Sequence, residues 1–369
     1  NRQILERVNK AMPFLIYDRD PYMVITENGR LVWMIDGYTT ANSYPYSATL
    51  SELGNYIRNS VKVTIDAYNG TVSFYIADST DPLINAYSRI FPGVFKPVSL
   101  MPTDLRSHIR YPQALFTIQA KVYSLYHMTD PQVFYNKEDL WKIPESFSEG
   151  ATETMMPYYT IMKLAEVGKT EEFILMVPLS PAKKENMIAW LAARCDEPNY
   201  GKMLVFDFPK QNLVYGPEQI ESRINQDPEI SKTLTLWNQG GSRVIWGSLL
   251  VIPVEQSLIY VQPLYIAAQS GGVPELKRVI VSYGNSIAME ETLEKSLNTI
   301  FGKTFEPLAQ EASSQPVPNN SSDVKSLISE AGHQFESAQE ELKRGNWAGY
   351  GNAMQKVEQL LKDLGNKIK

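Results

Sequence analysis

VKVTIDAYNGTVSFYIA, residues 61–77, decides the fold class. Val61, Val63 and Ile65 alternate with Lys62, Thr64 and Asp66. Beyond Asn69-Gly70, Val72, Phe74 and Ile76 alternate with Ser73, Tyr75 and Ala77. A period of two puts each set on its own face of an extended strand, and Asn-Gly supplies the two positive-φ residues of a tight type I′ turn. The stretch reads as a β-hairpin with one face toward a core and the other wet or partly covered. Upstream, Tyr22–Thr26 and Arg30–Asp36 flank Glu27-Asn28-Gly29 in the same way, and an amphipathic segment, Ile4 to Val8, comes before them.

Downstream the periodicity changes. Thr103-Asp104 is placed to cap a helix running toward His127, broken or kinked near Arg110-Tyr111 by Pro112. Leu115, Ile118, Val122, Leu125 and Tyr126 recur at helical spacing. Asp130-Pro131 reads as a turn, and Asn136 as the cap of a short helix over Lys137–Trp141. Tyr158–Met162 and Phe173–Pro178 read as strands. Ala182–Arg194 reads as a helix with Met187, Ile188, Trp190 and Leu191 as its stripe. Met203–Phe208 and Leu213–Tyr215 read as a hairpin. Pro217 and Pro228 each stand at a favoured helix start.

Val244–Ala268 is long and apolar enough for a membrane helix, but Pro253, Pro263 and Glu255-Gln256-Ser257 interrupt it, so a buried two-stranded hairpin is expected. A strand at Arg278–Tyr283 and a helix at Thr292–Phe301 follow. Short turns between strands predict an α+β fold, a largely antiparallel sheet with packed helices. The body is expected to span residues 1–305, with a helical segment at about 103–145. Residues 306–322, EPLAQEASSQPVPNNSS, form a linker too polar to bury a core. In residues 323–369, Val324 to Leu342 and Trp347 to Ile368 carry two heptad-like seams on either side of Gly345-Asn346, which predicts a C-terminal antiparallel helical hairpin.

The net charge of -6 argues against a general nucleic-acid binder, so no nucleic-acid partner is expected. A single Cys excludes an internal disulfide or a Cys-cluster metal site. Phosphate-binding glycine loops, nucleophile elbows and kinase signatures do not occur.

Asp104 and His108 share a helix face at four-residue spacing, a metal half-site that His127 would extend. Helix capping by Asp104 and a solvated His108 are the ordinary alternative. No cofactor is expected, and a divalent cation is the one these side chains admit. Cys195, between Arg194 and Asp196, reads as a small residue packed at a helix end rather than a nucleophile. The acidic turns Asp18–Pro21 and Asp78–Pro82 lack calcium-loop spacing and read as turn chemistry. Tyr38, Tyr44 and Tyr46 cluster in the polar stretch Asp36–Ser47, and rigid amphipathic rings suit contact with a peptide, glycan or protein. These tyrosines, with His127 and Trp141, are the candidate contact residues.

Six strings carry a resemblance: NRQILERVNKAMPFLIYDRDPYMV (1–24), IDGYTTANSYPYS (35–47), NYIRNSVKVTIDAYNGTVSFYIAD (55–78), RYPQALFTIQAKVYSLYHMTDPQVFYNKEDLW (110–141), NMIAWLAARCD (186–196) and GSRVIWGSLLVIPVEQSLIYVQPLYI (241–266). Together they resemble uncharacterised protein family zero-one-eight-two, large prokaryotic membrane proteins, from Asn1 to about Gly302. The tail resembles the helical end of the same proteins. The chain starts at Asn1 with no charged, apolar leader, and is expected to be a piece of something longer.

The resemblance implies an N-terminal block of spanning helices as the membrane-embedded partner of this region, and a location on the extracytoplasmic face of the cell membrane. It transfers no catalytic residue. The expectation is a non-enzymatic domain that binds or scaffolds an envelope protein, glycan or lipid. The alternative is an envelope hydrolase using carboxylates or a bound cation, with Asp104, His108 and His127 as its candidates.

Overall fold

The computed structural model describes residues 2–50, 53–148, 151–164, 170–209, 213–239, 241–254, 257–302 and 356. The chain divides into two compact units, Asn1–Thr304 and Phe305–Lys369. The linker and hairpin read over 306–369 lie outside the described residues, save Lys356, which is helical.

The first sheet gathers β1 (Ile16–Tyr17), β2 (Tyr22–Ile25), β3 (Leu31–Ala41), β4 (Tyr56–Asp66), β5 (Val72–Ile76) and β6 (Phe95–Pro97) in the order β1-β3-β4-β5-β6, with β2 also on β3. Helix α1 (Ile4–Ala11) precedes β1, and α2 (Pro82–Ile90) joins β5 to β6 as the crossover that their parallel pairing requires. The odd residues of β4 build the expected core: Val61, Val63 and Ile65 pack with Ile35, Phe74, Val8 and Ile84.

Two expectations change here. In the turns only Gly29 and Gly70 have positive φ, so a longer loop closed by one left-handed glycine replaces the type I′ turn. The even face of β4 is also covered, with Ser60, Lys62 and Thr64 at 0%, 2% and 6% exposure. In addition, β3 continues as strand to Ala41, so Tyr38 belongs to the sheet rather than to an irregular segment.

Next come α3 (Thr103–Ser107), α4 (Gln113–Tyr126) and α5 (Pro131–Asn136). One kinked helix toward His127 is replaced by two: α3 ends at Ser107, and Pro112 is the N-cap of α4. Asp130 caps α5, accepting from the Gln132 and Val133 amides at 2.8 and 3.1 Å. The helix stops where Lys137 turns left-handed (φ 53°), so the segment expected to be helical over Lys137–Trp141 instead leads into β7 (Trp141–Lys142). Asp81 likewise caps α2, where only a turn was expected. In both places Asp-Pro opens a helix, with Pro at a position that needs no amide hydrogen.

After the small pair β8 (Glu145–Ser148) and β9 (Ala151–Thr154), the second sheet runs β10 (Tyr158–Lys163), β11 (Glu171–Pro181), β12 (Ala189–Arg194) and β13 (Met203–Asp207), with β7 on β11. The helix expected over Ala182–Arg194 is corrected to a turn and strand β12. All six residues of β12 are buried, and a strand buried on both faces reads as an unbroken apolar run. Met203–Phe208 pairs with β12 and not with Leu213–Tyr215; Val214 instead forms an isolated bridge to Met187.

Helices α6 (Pro217–Gln226) and α7 (Pro228–Trp237) lead to the third sheet: β14 (Ser242–Trp246), β15 (Leu250–Val254), β16 (Ser257–Ala268), β17 (Glu275–Tyr283) and β18 (Ser286–Glu290), closed by α8 (Leu293–Phe301). The expected two-stranded apolar hairpin is three strands, since β14 and β15 both pair with the long β16. Every pairing but β5–β6 is antiparallel among the described strands, which makes the fold α+β. The largest core cluster joins α4, α6 and α7 to the second and third sheets and takes in Tyr38 and Trp141. Among the described residues no helix is long and apolar enough to cross a membrane.

Candidate functional site

The buried even face of β4 carries a charge. Asp36 and Lys62 are directly opposite across β3 and β4, and the Lys62 ammonium donates to the Asp36 carboxylate. Lys62 also donates to the Arg110 carbonyl at 3.3 Å and sits 5.3 Å from the centre of the Tyr200 ring. An ammonium at 2% exposure survives only with such compensation.

Arg110 lies in the non-helical stretch between α3 and α4. Pro112 keeps that stretch extended, and its carbonyls are left to side-chain donors. The Arg110 carbonyl accepts from Lys62 and, at 3.4 Å, from the Tyr200 hydroxyl. The Arg110 guanidinium donates to Asp20 at 2.6 Å and lies over the Tyr22 and Tyr159 rings at 4.1 and 5.0 Å. The Tyr159 hydroxyl donates to the neighbouring Tyr111 carbonyl at 2.6 Å.

Tyr200 comes from the turn between β12 and β13. Asp196 ties that turn to β11 by accepting the Phe173 amide at 2.8 Å, and Gly201 closes it with φ 80°. The first sheet, the α3–α4 connection and this turn enclose a cavity of about 340 Å³. Lys62 and Tyr200 line its interior, Ile109, Val98 and Ala77 its apolar wall, and Arg106, Asp196 and Glu197 its polar margin. The cavities beside Lys184 (about 380 Å³) and beside Tyr158 (about 580 Å³) have no buried ion pair in their lining.

Cys195 also borders this cavity. It follows strand β12, which corrects the helix-end placement, and is 3% exposed; burial pushes its thiol up to about 11. Burial, aided by Asp36, holds the Tyr200 hydroxyl protonated well above its ordinary range. At neutral pH neither group is an activated nucleophile.

The sequence-predicted contact residues separate. Tyr38 is 3% exposed and donates its hydroxyl to Asp18 at 2.5 Å, so it packs the interior and is not a surface contact. Its hydroxyl is raised above the ordinary phenol range by burial, with Asp36 and Asp18 adding to it. Trp141 is 8% exposed, and the His127 ring stacks on it at 3.7 Å, so this pair is also interior. The His127 Nε2 and Trp141 Nε1 atoms are buried without a hydrogen-bond partner among the described residues. Tyr44 and Tyr46 are exposed beyond β3. Tyr44 stacks on Tyr56 at 5.6 Å, and Tyr46 adopts φ 58°, a conformation rare outside glycine.

For the metal candidates, Asp104 accepts the Glu27 amide at 2.8 Å, and His108 Nδ1 lies 2.8 Å from the Asp104 carbonyl and 3.8 Å from its carboxylate. His127 does not join them. No group of three or more His, Cys, Asp or Glu able to hold a metal ion occurs among the described residues. In the acidic turns, Asp81 accepts from Thr39, Ser60 and Tyr56 hydroxyls at 2.6, 2.6 and 2.7 Å, and Asp78 pairs with Arg58 at 2.9 Å.

Lys62, Asp36, Tyr200 and Arg106 were missed by sequence reasoning. The available signal was opposite charges placed at the centres of two apolar strands, since a solvated face has no need of neighbours as apolar as Val61 and Val63.

Comparison with known proteins places this α+β chain in a class without an assigned activity. The model of Uncharacterised protein family (UPF0182) matches residues 1–237, and the chain belongs to that family. A UPF0182 protein of Pelotomaculum thermopropionicum is 50% identical and one of Desulforamulus reducens 52% identical, each over 99% of this chain; UPF0182 protein GSU2333 of Geobacter sulfurreducens is 51% identical over 98%. The chain spans 40% of the length of these curated relatives. No solved structure matches.

Proposed function

We propose that this region is the extracytoplasmic part of a multi-pass membrane protein and that it recognises a ligand rather than transforming it. The observation behind this reading is the cavity lined by Lys62, whose ammonium is paired with Asp36. Its buried charge is already compensated, its thiol and phenol are held protonated by burial, and its wall is apolar. A concave, mostly apolar pocket with a few fixed polar groups suits small-molecule binding, whereas an acid–base or nucleophilic centre needs a group poised near the working pH. The location rests on the family resemblance and would bring the region beside a membrane-embedded part of the same polypeptide.

Two measurements test the two halves. In cells producing the whole polypeptide, Tyr46→Cys is expected to gain labelling by a membrane-impermeant maleimide over the parent protein, since Tyr46 is exposed and Cys195 of this region is buried. Labelling of Tyr46→Cys only after permeabilisation would overturn the location. For recognition, a small-molecule library is expected to contain compounds that raise the Tm of this chain and lose that effect in Ala77→Phe, which fills the cavity. Stabilisers equally effective on a folded Ala77→Phe protein, or turnover of a library compound, would overturn the recognition reading.

A further inference from the structure

We infer that the cavity takes a small neutral carbonyl compound with an apolar body, held by the Lys62 ammonium; this rests on the cavity being a recognition site. An ammonium carries three N–H donors. Lys62 gives one to the Asp36 carboxylate and one, at 3.3 Å, to the Arg110 carbonyl. The third meets no acceptor atom among the described residues; the Tyr200 ring, 5.3 Å from the ammonium, offers only its face. Lys62 is 2% exposed and lines the cavity, so the spare donor is buried beside that space rather than spent on bulk water.

That donor comes without a charge to neutralise. Asp36 offsets the ammonium, and at the margin Arg106 and Glu197 form an ion pair at 3.8 Å. Asp196, whose carboxylate accepts the Phe173 amide, adds a negative group to the lining. An anion in the cavity would lose its hydration to a cation that is already paired and would meet Asp36 and Asp196 as like charges, while a cation would meet Lys62. A neutral oxygen acceptor incurs neither penalty, and a hydrogen bond from a charged donor is stronger than one between neutral groups. A carbonyl suits the space better than a hydroxyl or an N–H group, because it accepts without adding a donor that Ala77, Val98 and Ile109 cannot satisfy. Its apolar body then lies on those side chains and the Tyr200 ring. A molecule of the same shape without the oxygen leaves the Lys62 donor unmatched, which is how a buried polar group discriminates between them.

Saturation-transfer NMR of the chain with acetophenone, ethylbenzene, benzoate and benzylammonium, each at the same millimolar concentration, tests this. Acetophenone is expected to bind. Ethylbenzene, which has its shape without the oxygen, and the two ions are expected to bind at least tenfold more weakly. The double variant Lys62→Met, Asp36→Leu removes the donor together with its counterion and is expected to bring acetophenone within threefold of ethylbenzene. Equal binding of acetophenone and ethylbenzene, a preference for either ion, or absence of acetophenone binding would overturn the assignment. So would a folded double variant that keeps the tenfold preference. The ranking of the four probes is read on the unaltered chain, so it stands as a test even where the double variant does not fold. The Ala77→Phe library comparison is independent of it: stabilisers that depend on an open cavity but are charged or lack an oxygen acceptor would sink this inference and leave the recognition reading standing.

Discussion

Two buried regions handle charge in opposite ways. Around the first sheet buried charges are matched: Lys62 by Asp36, and Asp81 by three hydroxyls and the Leu83 and Ile84 amides at 3.0 and 3.3 Å at the start of α2. At α6, Glu221 is buried with less help. It accepts from the Ser146 hydroxyl at 2.6 Å and the Phe147 amide at 2.9 and 3.0 Å, while Glu218 lies one turn away. Burial raises both carboxyls. At Asp81 the hydrogen bonds from Ser60, Thr39, Tyr56 and Leu83 outweigh it and the carboxyl ends below its ordinary range; at Glu221 burial wins and the carboxyl ends above. The lesson is that the balance between burial and the number of donors decides in which direction an interior carboxyl is shifted.

The contrast predicts graded effects. Lys62→Met leaves Asp36 uncompensated and is expected to destabilise by about 3–5 kcal/mol in denaturant titration. Adding Asp36→Leu should recover most of that loss, and failure to recover would mean the pair matters for more than its charges. Asp81→Ala removes the α2 cap and orphans buried hydroxyls, for an expected loss of about 2–3 kcal/mol.

Glu221→Gln is expected to change stability at neutral pH by no more than about 1 kcal/mol, since an amide oxygen can keep accepting from Ser146 and Phe147 while the buried charge is removed. The pH profiles sharpen the comparison. Glu221 has a raised folded pKa, so its contribution is fully present below the ordinary carboxylate pKa and is lost as pH rises through the folded one. Asp81 has a lowered folded pKa, so its contribution is present above the ordinary value and is lost as pH falls through the folded one. Glu221→Gln should flatten the first limb and Asp81→Ala the second. Both variants flattening the same limb would break the distinction.

These regions also mark how much was legible beforehand. The alternation in β4 and β5 exposed the hairpin, and the helical spacing from Leu115 exposed α4, because each element has one apolar face. Strand β12 was misread because Ala189–Arg194 is buried on both faces and loses its period. The caps Asp81 and Asp130 were misread as turns because Asp-Pro serves both, and which it becomes depends on packing of the following residues, Ile84 among them. Of the site, Cys195 was noticed for its element rather than its place. Tyr44 and Tyr46 were found as exposed rings, while Tyr38 and Trp141 were drawn inward by the large core. Local patterns report periodicity, whereas the cavity depends on which distant segments meet.

That dependence has a thermodynamic consequence. The Tyr200–Arg110 bond spans 90 positions along the chain, and no single segment makes the cavity alone. Loading the site and keeping the two sheets seamed together are therefore one linked equilibrium. A ligand held there would act as mortar between the first sheet and the β12–β13 turn, and whatever prises that seam open would expel it.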